Sequence, residues 1–547
     1  MRHLTVCLLV LFAIAPALAA SPAKGPQQQP LSLVERSRAE VPGDAGQYRV
    51  VQTPATWDPA RTAVVICDMW DLHHCRDATL RVAEMAPRVN EFITRLRERG
   101  VLIIHCPSDT MAFYKDHPGR KLAQAAPPVK TKTPLAGWCS LDRNHEAALP
   151  IDDSDGGCDT PPAELAKFSA ELKAMGRNPG APWKRQIAAI EIKDGDAITD
   201  NAEAYYLMKQ RGITNVIVLG VHTNMCVLGR PFSIRQMAAQ GQHVVLVRDL
   251  TDTMYNPARA PYVSHYTGTD LVVEHIEKYW CPTITSDQVV GGQPLRFTAD
   301  KRKRLVLLLA EEEYKTTATV PAFATESLGR DFKIDTVMWD KHGSHTLAGL
   351  DALDNADVVL MSMWRRTLSK VQLDKIRKYV AAGKPLVAIR TSSHGFSSRD
   401  GKTPDGHEQW LDFDRTVLGG NYRGHHANHA QDEATTSYVW VPDGSQTHPI
   451  LTDVAPGERR TASWLYKTSP LGPATKVLMM GRVGSRQPQE PVAWTNVSPA
   501  GGRVFYTSLG HPDEFKDKDF RRMLLNATYW AADLPVPREL PEHAARP

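Results

Sequence analysis

Three residues that together could carry out nucleophilic catalysis stand in order in the first half of this chain: Asp68, Lys193 and Cys226. A thiol becomes a nucleophile once its proton is taken, and a carboxylate can take that proton and pass it to a leaving group. In an open parallel sheet such groups collect beyond the carboxyl ends of the strands. Asp68 follows the apolar run 63–67. Cys226 lies in the turn Gly220-Val221-His222-Thr223-Asn224-Met225-Cys226-Val227, after the run 215–220. Both are therefore expected on that edge. Lys193, just past a strand expected at 188–192, would hold the carboxylate ionised. A helix opening at Val227 would favour thiolate at Cys226 and give a mildly acidic thiol.

The succession Asp, Lys and then Gly-Val-x-Thr-x-x-Cys-Val resembles the isochorismatase-like cysteine hydrolases, which include nicotinamidases and N-carbamoyl amidohydrolases. The resemblance covers roughly 62–281, and the cysteine turn is its most specific part. It implies that Cys226 attacks an amide carbonyl, that Asp68 is the general base and that Lys193 completes the triad. It also implies a cis Val221–His222 peptide and an oxyanion hole of backbone N–H groups near Cys226. The stretch Asp68-Met69-Trp70-Asp71-Leu72-His73-His74-Cys75 departs from the family, which usually has Gln or Asn and an aromatic after the Asp. Trp70, His73 and His222 are read as walls of the substrate pocket. Asp71, His73, His74 and Cys75 could hold a metal, but the Asp-x-His arrangement of metal-bearing nicotinamidases is not recovered. No cofactor is predicted; a metal ion stays possible without support. The long stretch 107–183 is read as a lid over Cys226. Cys67 and Cys106 are read as inert, and Cys139 with Cys158 is one disulfide the sequence allows, connectivity staying open.

The second half carries Arg390-Thr391-Ser392-Ser393-His394, Leu418-Gly419-Gly420-Asn421-Tyr422-Arg423-Gly424-His425, His448-Pro449-Ile450 and Thr507-Ser508-Leu509-Gly510-His511 in order. These resemble the ThuA-like (trehalose-utilisation) family, relatives of class I glutamine amidotransferases with a flavodoxin-like fold, over roughly 304–537. The sequence holds no cysteine after Cys281, which excludes thioester chemistry in this half. Ser392, His394, His425 and His511 are the candidate binding residues for a polyol or carbohydrate, with hydrolysis by a Ser392–His pair a weaker option.

The elements needed to position these residues can be read from the pattern of the chain. Its 547 residues exceed one ordinary core, and 42% hydrophobic with 23% charged residues is the usage of a folded soluble protein. Lys plus Arg at 65 against Asp plus Glu at 61 leaves +4, too little for a nucleic-acid-sized positive field. Residues 1–20, with the apolar run 4–15, read as a secretory signal peptide and so imply a secreted or periplasmic protein with no stable membrane insertion. Residues 21–59 read as a flexible leader, 60–285 as the isochorismatase-like domain, 286–302 as a linker and 303–540 as the ThuA-like domain. Short apolar runs alternating with amphipathic stretches in both halves predict two three-layer α/β/α domains with mainly parallel sheets: an isochorismatase-like Rossmannoid, then a flavodoxin-like fold. The function expected is an exported cysteine amidohydrolase of a small amide, joined to a carbohydrate-binding or carbohydrate-processing domain. The alternative is a non-catalytic carbohydrate-binding or scaffold protein. An oligomer is possible; a nucleic-acid partner is not expected.

Overall fold

The structure, a computed structural model, describes residues 29–426, 434–485 and 489–538. The expected signal peptide lies outside the described residues. Among those described, no helix is long and apolar enough to cross a membrane.

The first sheet has eight strands: β1 (Leu31–Val41), β2 (Asp44–Trp57), β3 (Thr62–Cys67), β4 (Leu102–Cys106), β5 (Ala197–Ile198), β6 (Asn215–Val221), β7 (His243–Asp252) and β8 (Thr283–Ile284). Their order is β2-β1-β8-β7-β6-β3-β4-β5, and the six from β8 to β5 run parallel. β3 and most of β6 are buried on both faces, as their unbroken apolar sequences require. The helix Arg76–Glu98 packs Val82, Met85, Val89, Phe92 and Leu96 on one face of the sheet. Residues at this spacing line one helical stripe.

The second sheet contains β9 (Lys303–Ala310), β10 (Phe332–Trp339), β11 (Leu347–Ala348), β12 (Val358–Met363), β14 (Leu386–Ile389), β16 (Ser437–Trp440), β17 (Arg459–Thr461), β18 (Lys476–Val483), β19 (Glu490–Val497) and β20 (Arg503–Thr507). Leu368–Ser369 and His407–Glu408, β13 and β15 in chain order, pair with each other. The order of the large sheet is β11-β10-β9-β12-β14-β20-β19-β18-β16-β17, parallel from β10 to β20 and antiparallel beyond. The helices Thr316–Leu328, Lys370–Ala381 and Lys518–Ala531 contribute to its core. Two mixed, largely parallel α/β sheets are thus the architecture, as the alternation of apolar runs and amphipathic stretches implied.

Two segments differ from expectation. Residues 31–57 are not a flexible leader but a long antiparallel hairpin, β1 on β2, turned at Pro42-Gly43. β1 adds to the edge of the first sheet at Arg36 opposite Thr283. The hairpin's tip reaches the second sheet, where the His342 N–H donates to the Pro42 carbonyl at 3.0 Å. Its polar side chains hid the strand pattern: Arg36 and Arg38 meet Glu277, which is fully buried at its side chain. The stretch 286–302 is likewise held in place. Asp249 accepts the N–H groups of Ser286 and Leu295, and Arg302 is paired with Asp300 and Asp270.

Candidate active site

β3 and β6 are neighbours, and the chain leaves β3 toward β4 and β5 before returning to build β6, β7 and β8 on the other side. That reversal places the crevice of the sheet at the carboxyl ends of β3 and β6, where Asp68 and Cys226 stand. Cys67 is in register with Gly220. Gly220 has φ +105°, and a β-carbon there would run into the Cys67 carbonyl oxygen, so only glycine lets the two strand ends approach. Asp68 itself adopts φ 49°, a turn that takes its side chain off the strand direction. The Val221–His222 peptide is cis, as the family resemblance implied.

Asp68 has no exposed surface. Its Oδ1 accepts the Ser108 N–H at 2.8 Å. Among the described residues no hydrogen-bond partner reaches Oδ2; Nε of Arg230 lies 3.7 Å from it, and the Cys226 thiol is close enough to interact electrostatically with the carboxyl. Burial pushes the Asp68 carboxyl up to about 6, against the pull of Arg230 and of its hydrogen bonds. The same burial, reinforced by the Asp68 charge, pushes the Cys226 thiol well above its ordinary value. The pair at neutral pH is therefore a carboxylate beside a protonated thiol, which is the starting state for general-base activation.

The expected mildly acidic thiol is not what the structure holds. Cys226 opens a helix of only four residues, Cys226–Gly229, and is 8% exposed. So short a helix supplies little field, and desolvation wins. Of the backbone N–H groups near the sulfur, that of Val227 is given to the His222 carbonyl at 3.1 Å.

Lys193 is not with them. Residues 188–192 form turns rather than a strand, and the short strand beside β4 is Ala197–Ile198, followed by Thr199 and Asp200. The Lys193 Nζ pairs with Glu191 at 2.8 Å on a surface where both side chains are about half exposed. Nearby, Arg97 at the end of the helix Arg76–Glu98 donates to the Glu191 carbonyl and to Asp196. The cation beside Asp68 is instead Arg230, fixed by Asp109 at 3.0 Å and lying over the Trp138 ring. Sequence reading passed it over because it stands four residues after the cysteine, not behind a strand. Arg230→Gln is expected to move the acid limb of any amidase profile above pH 6, because the cation that helps keep Asp68 ionised is lost. Activity at pH 7 should fall about tenfold and recover at higher pH, with Arg230→Lys retaining most of it. Lys193→Ala should change kcat/KM by less than about twofold, since an exposed pair contributes little.

Trp70, His73 and His222 form one aromatic wall. Trp70 stacks on Trp183 with ring centres 4.6 Å apart and donates its indole N–H to the Ser108 carbonyl, while His73 and His222 lie 4.7 Å apart. Trp70 and Cys226 belong to one buried apolar cluster, and the partly buried Trp183 packs against it. Burial keeps both histidines neutral, His222 down at about 3. The four-residue metal grouping falls apart: Asp71 binds Arg177, and Cys75 is disulfide-bonded. That disulfide joins Cys75 to Cys158, with Cα atoms 5.5 Å apart, rather than Cys139 to Cys158; Cys139 is free. The two ends it joins are the start of the helix Arg76–Glu98 and the stretch read as a lid. The latter does cover the Cys226 turn. The Cys139 N–H donates to the Gly229 carbonyl at 2.7 Å, and Asn224 donates to Asp153 at 2.8 Å.

A cavity of about 340 Å³ opens at the carboxyl edge of the other sheet. His394, His425 and His511 all line it, brought together from the loops after β14, before β16 and after β20. Ser392 does not: it is fully buried, donating to the Met361 carbonyl and accepting the Met363 N–H, so it braces β12 against the turn. This withdraws the Ser392–His pair. His394 stacks on Tyr422 at 4.2 Å and is held neutral, at about 3, by burial and then by Arg365 and Arg390. Arg390 sits in the sharp turn directly after β14 at φ 50° and is fully buried. Its guanidinium lies between the rings of Tyr314 and Tyr466 at 4.3 and 4.5 Å and donates to the Trp464 and Ser508 carbonyls. Ring faces and carbonyl dipoles offset the cost of burying this cation. Behind His511, Glu514 accepts the N–H groups of Gly510 and His511 and fixes the loop.

Residues 305–531 match the family model described as ThuA, trehalose utilisation. A search of curated proteins gives no match. Among solved structures, the chain is similar to a ThuA-like protein from Bacteroides uniformis ATCC 8492 at 17% identity, covering 44% of this chain and 95% of that one with a TM-score of 0.32. It is similar to a cysteine hydrolase from Pseudomonas syringae pv. phaseolicola 1448A at 16% identity, covering 42% and 92%, TM-score 0.26. An isochorismatase family protein from Desulfovibrio vulgaris subsp. vulgaris str. Hildenborough is similar at 15% identity, covering 40% and 89%, TM-score 0.21. Residues 305–531 are therefore a ThuA domain.

Proposed function

We propose that the first half is a cysteine amidohydrolase acting on a small C–N amide, with Cys226 as nucleophile and Asp68 as general base. The observation that carries this reading is the buried Asp68 carboxyl and the buried Cys226 thiol brought into electrostatic reach of each other at the switch point of the sheet, with Arg230 beside the carboxyl. Asp68 takes the thiol proton as Sγ bonds to the amide carbonyl carbon. The same proton goes to the nitrogen as the C–N bond breaks, leaving a thioester on Cys226 and a free amine or ammonia. Water then attacks the thioester, Asp68 takes its proton, and the acid departs as the thiol is restored. Arg230 is a positioning residue in this scheme: it keeps Asp68 ionised and need not touch the substrate. The Trp70, His73 and His222 wall would bound the acyl group.

In this reading the second half binds or processes a carbohydrate-type ligand in the cavity of His394, His425 and His511, and the protein is exported. The experiment is a screen of small amides against wild type and Cys226→Ala, reading ammonia or amine release. The non-catalytic alternative draws on the absence of Lys193 from the Asp68–Cys226 pair; a wild-type protein inert across the screen would favour it.

A further inference from the structure

The 340 Å³ cavity does not stand alone. A neighbouring cavity of about 570 Å³ shares one wall with it, made of Trp364, Arg365 and Arg399. Both volumes lie in the range of small-ligand sites. The shared wall is cationic. Arg365 donates to the Ser398 carbonyl at 3.3 Å, Arg399 lies over the Trp364 ring at 5.6 Å, and among the described residues neither has a carboxylate within ion-pair distance. Arg365 also holds φ 49°, the left-handed region, directly beyond the end of β12. Such a conformation in a residue other than glycine is maintained only where its surroundings impose it.

The carboxylates nearby do not cancel this charge. Glu312 is engaged by Arg366 at 3.2 Å and His342 at 3.3 Å, and Asp400 keeps its charge on the outer cavity, where Lys402 lines the same wall and offsets it. Among the described residues, Glu313 is the one carboxylate lining the inner cavity, facing a wall with two arginines and with the buried Arg390 behind Tyr314 and Tyr466. The histidine His394 feels the same field, since Arg365 and Arg390 both help keep it unprotonated. The remaining walls are flat: Tyr422, Trp464 and Tyr466 offer ring faces or edges to the inner cavity.

We infer that this double cleft takes an acidic saccharide, two or more sugar units bearing carboxylate or sulfate groups, with the sugar rings against the aromatic side chains and the anionic groups on Arg365 and Arg399. Planar guanidinium groups pair with both kinds of oxyanion through two parallel hydrogen bonds, and the aromatic faces suit the apolar faces of sugar rings. The inference rests on the carbohydrate reading of the second half and narrows it to a charge class.

Titration calorimetry on the full chain tests it with three probes: a neutral disaccharide, a disaccharide containing a hexuronate, and a sulfated disaccharide. At least one acidic probe should bind about tenfold or more tightly than the neutral one, and the better of the two identifies carboxylate or sulfate. Arg365→Gln and Arg399→Gln should each remove most of that advantage. Raising the ionic strength of the wild-type sample should do the same without any substitution. Equal binding of neutral and acidic probes would overturn the charge assignment and leave the carbohydrate reading intact. Failure of all three to bind would overturn both.

Discussion

Replacing Cys226 by alanine is expected to abolish amide hydrolysis, with kcat/KM falling by at least about 10⁴-fold on any substrate the wild type accepts. The size follows from the scheme, in which the Cys226 sulfur forms the covalent bond and, among the described residues, no second thiol can stand in. Cys67 and Cys106 end adjacent strands and are fully buried, and burial drives their thiols far from ionisation. Cys139 is free and partly exposed, but it lies on the covering stretch. The alanine variant should fold, since the side chain lost is small and the turn is held by the backbone bonds of Met225 and Val227 to His222. Ammonia release surviving this substitution would move the chemistry elsewhere.

Asp68→Asn is expected to cost about 10²- to 10⁴-fold in kcat/KM, the usual span for removing a general base. In the wild type, the rate should rise with pH through about 6, because the base works only as the carboxylate, and then hold level while the thiol stays protonated. The asparagine variant should lose that limb. The stability effect has the opposite sign. A carboxyl raised from 3.8 to about 6 on folding binds its proton more tightly in the native state. Its favourable contribution is complete below its unfolded pKa and is lost as pH rises through about 6. The cost at pH 8 is about 3 kcal/mol. A neutral amide escapes it, so Asp68→Asn should denature at a higher temperature than wild type at pH 8, the gap closing by about pH 4. A variant both dead and more stable is the signature of a group kept for chemistry; equal or lower stability at pH 8 would contradict the strained-base account.

Much of this was legible in the chain itself because burial on both faces makes a strand read as an unbroken apolar run. The runs at 63–67, 215–220 and 305–309 fall in strands, as does 385–389 apart from Pro385, and Asp68, Cys226 and Arg390 follow three of them. The cysteine turn was legible because Gly220 has to be glycine. Three histidines scattered over 118 positions, His394 to His511, could be grouped because each follows or precedes a strand of one sheet edge. What was hidden is instructive in the same terms. The run 188–192 has strand composition but carries Ile190 into the core from a turn. It therefore mislocated Lys193. The hairpin 31–57 buries arginines against glutamates, so hydropathy could not reveal it. Arg230 was invisible because a guanidinium that reaches back to Asp68 from four residues past the cysteine leaves no spacing signature. The thiol's ionisation was misjudged because the helix at Cys226 proved to be a single turn, leaving burial to decide.

The central claim is that the Cys226 sulfur is acylated while Asp68 carries the proton. Rapid mixing of the protein with an amide substrate, acid quenching and mass analysis of the peptides tests it directly. The account predicts one acyl adduct, on the peptide containing Cys226, accumulating in wild type and missing in both Cys226→Ala and Asp68→Asn. Turnover with no adduct on that peptide, or the same adduct at the wild-type rate in Asp68→Asn, would contradict it.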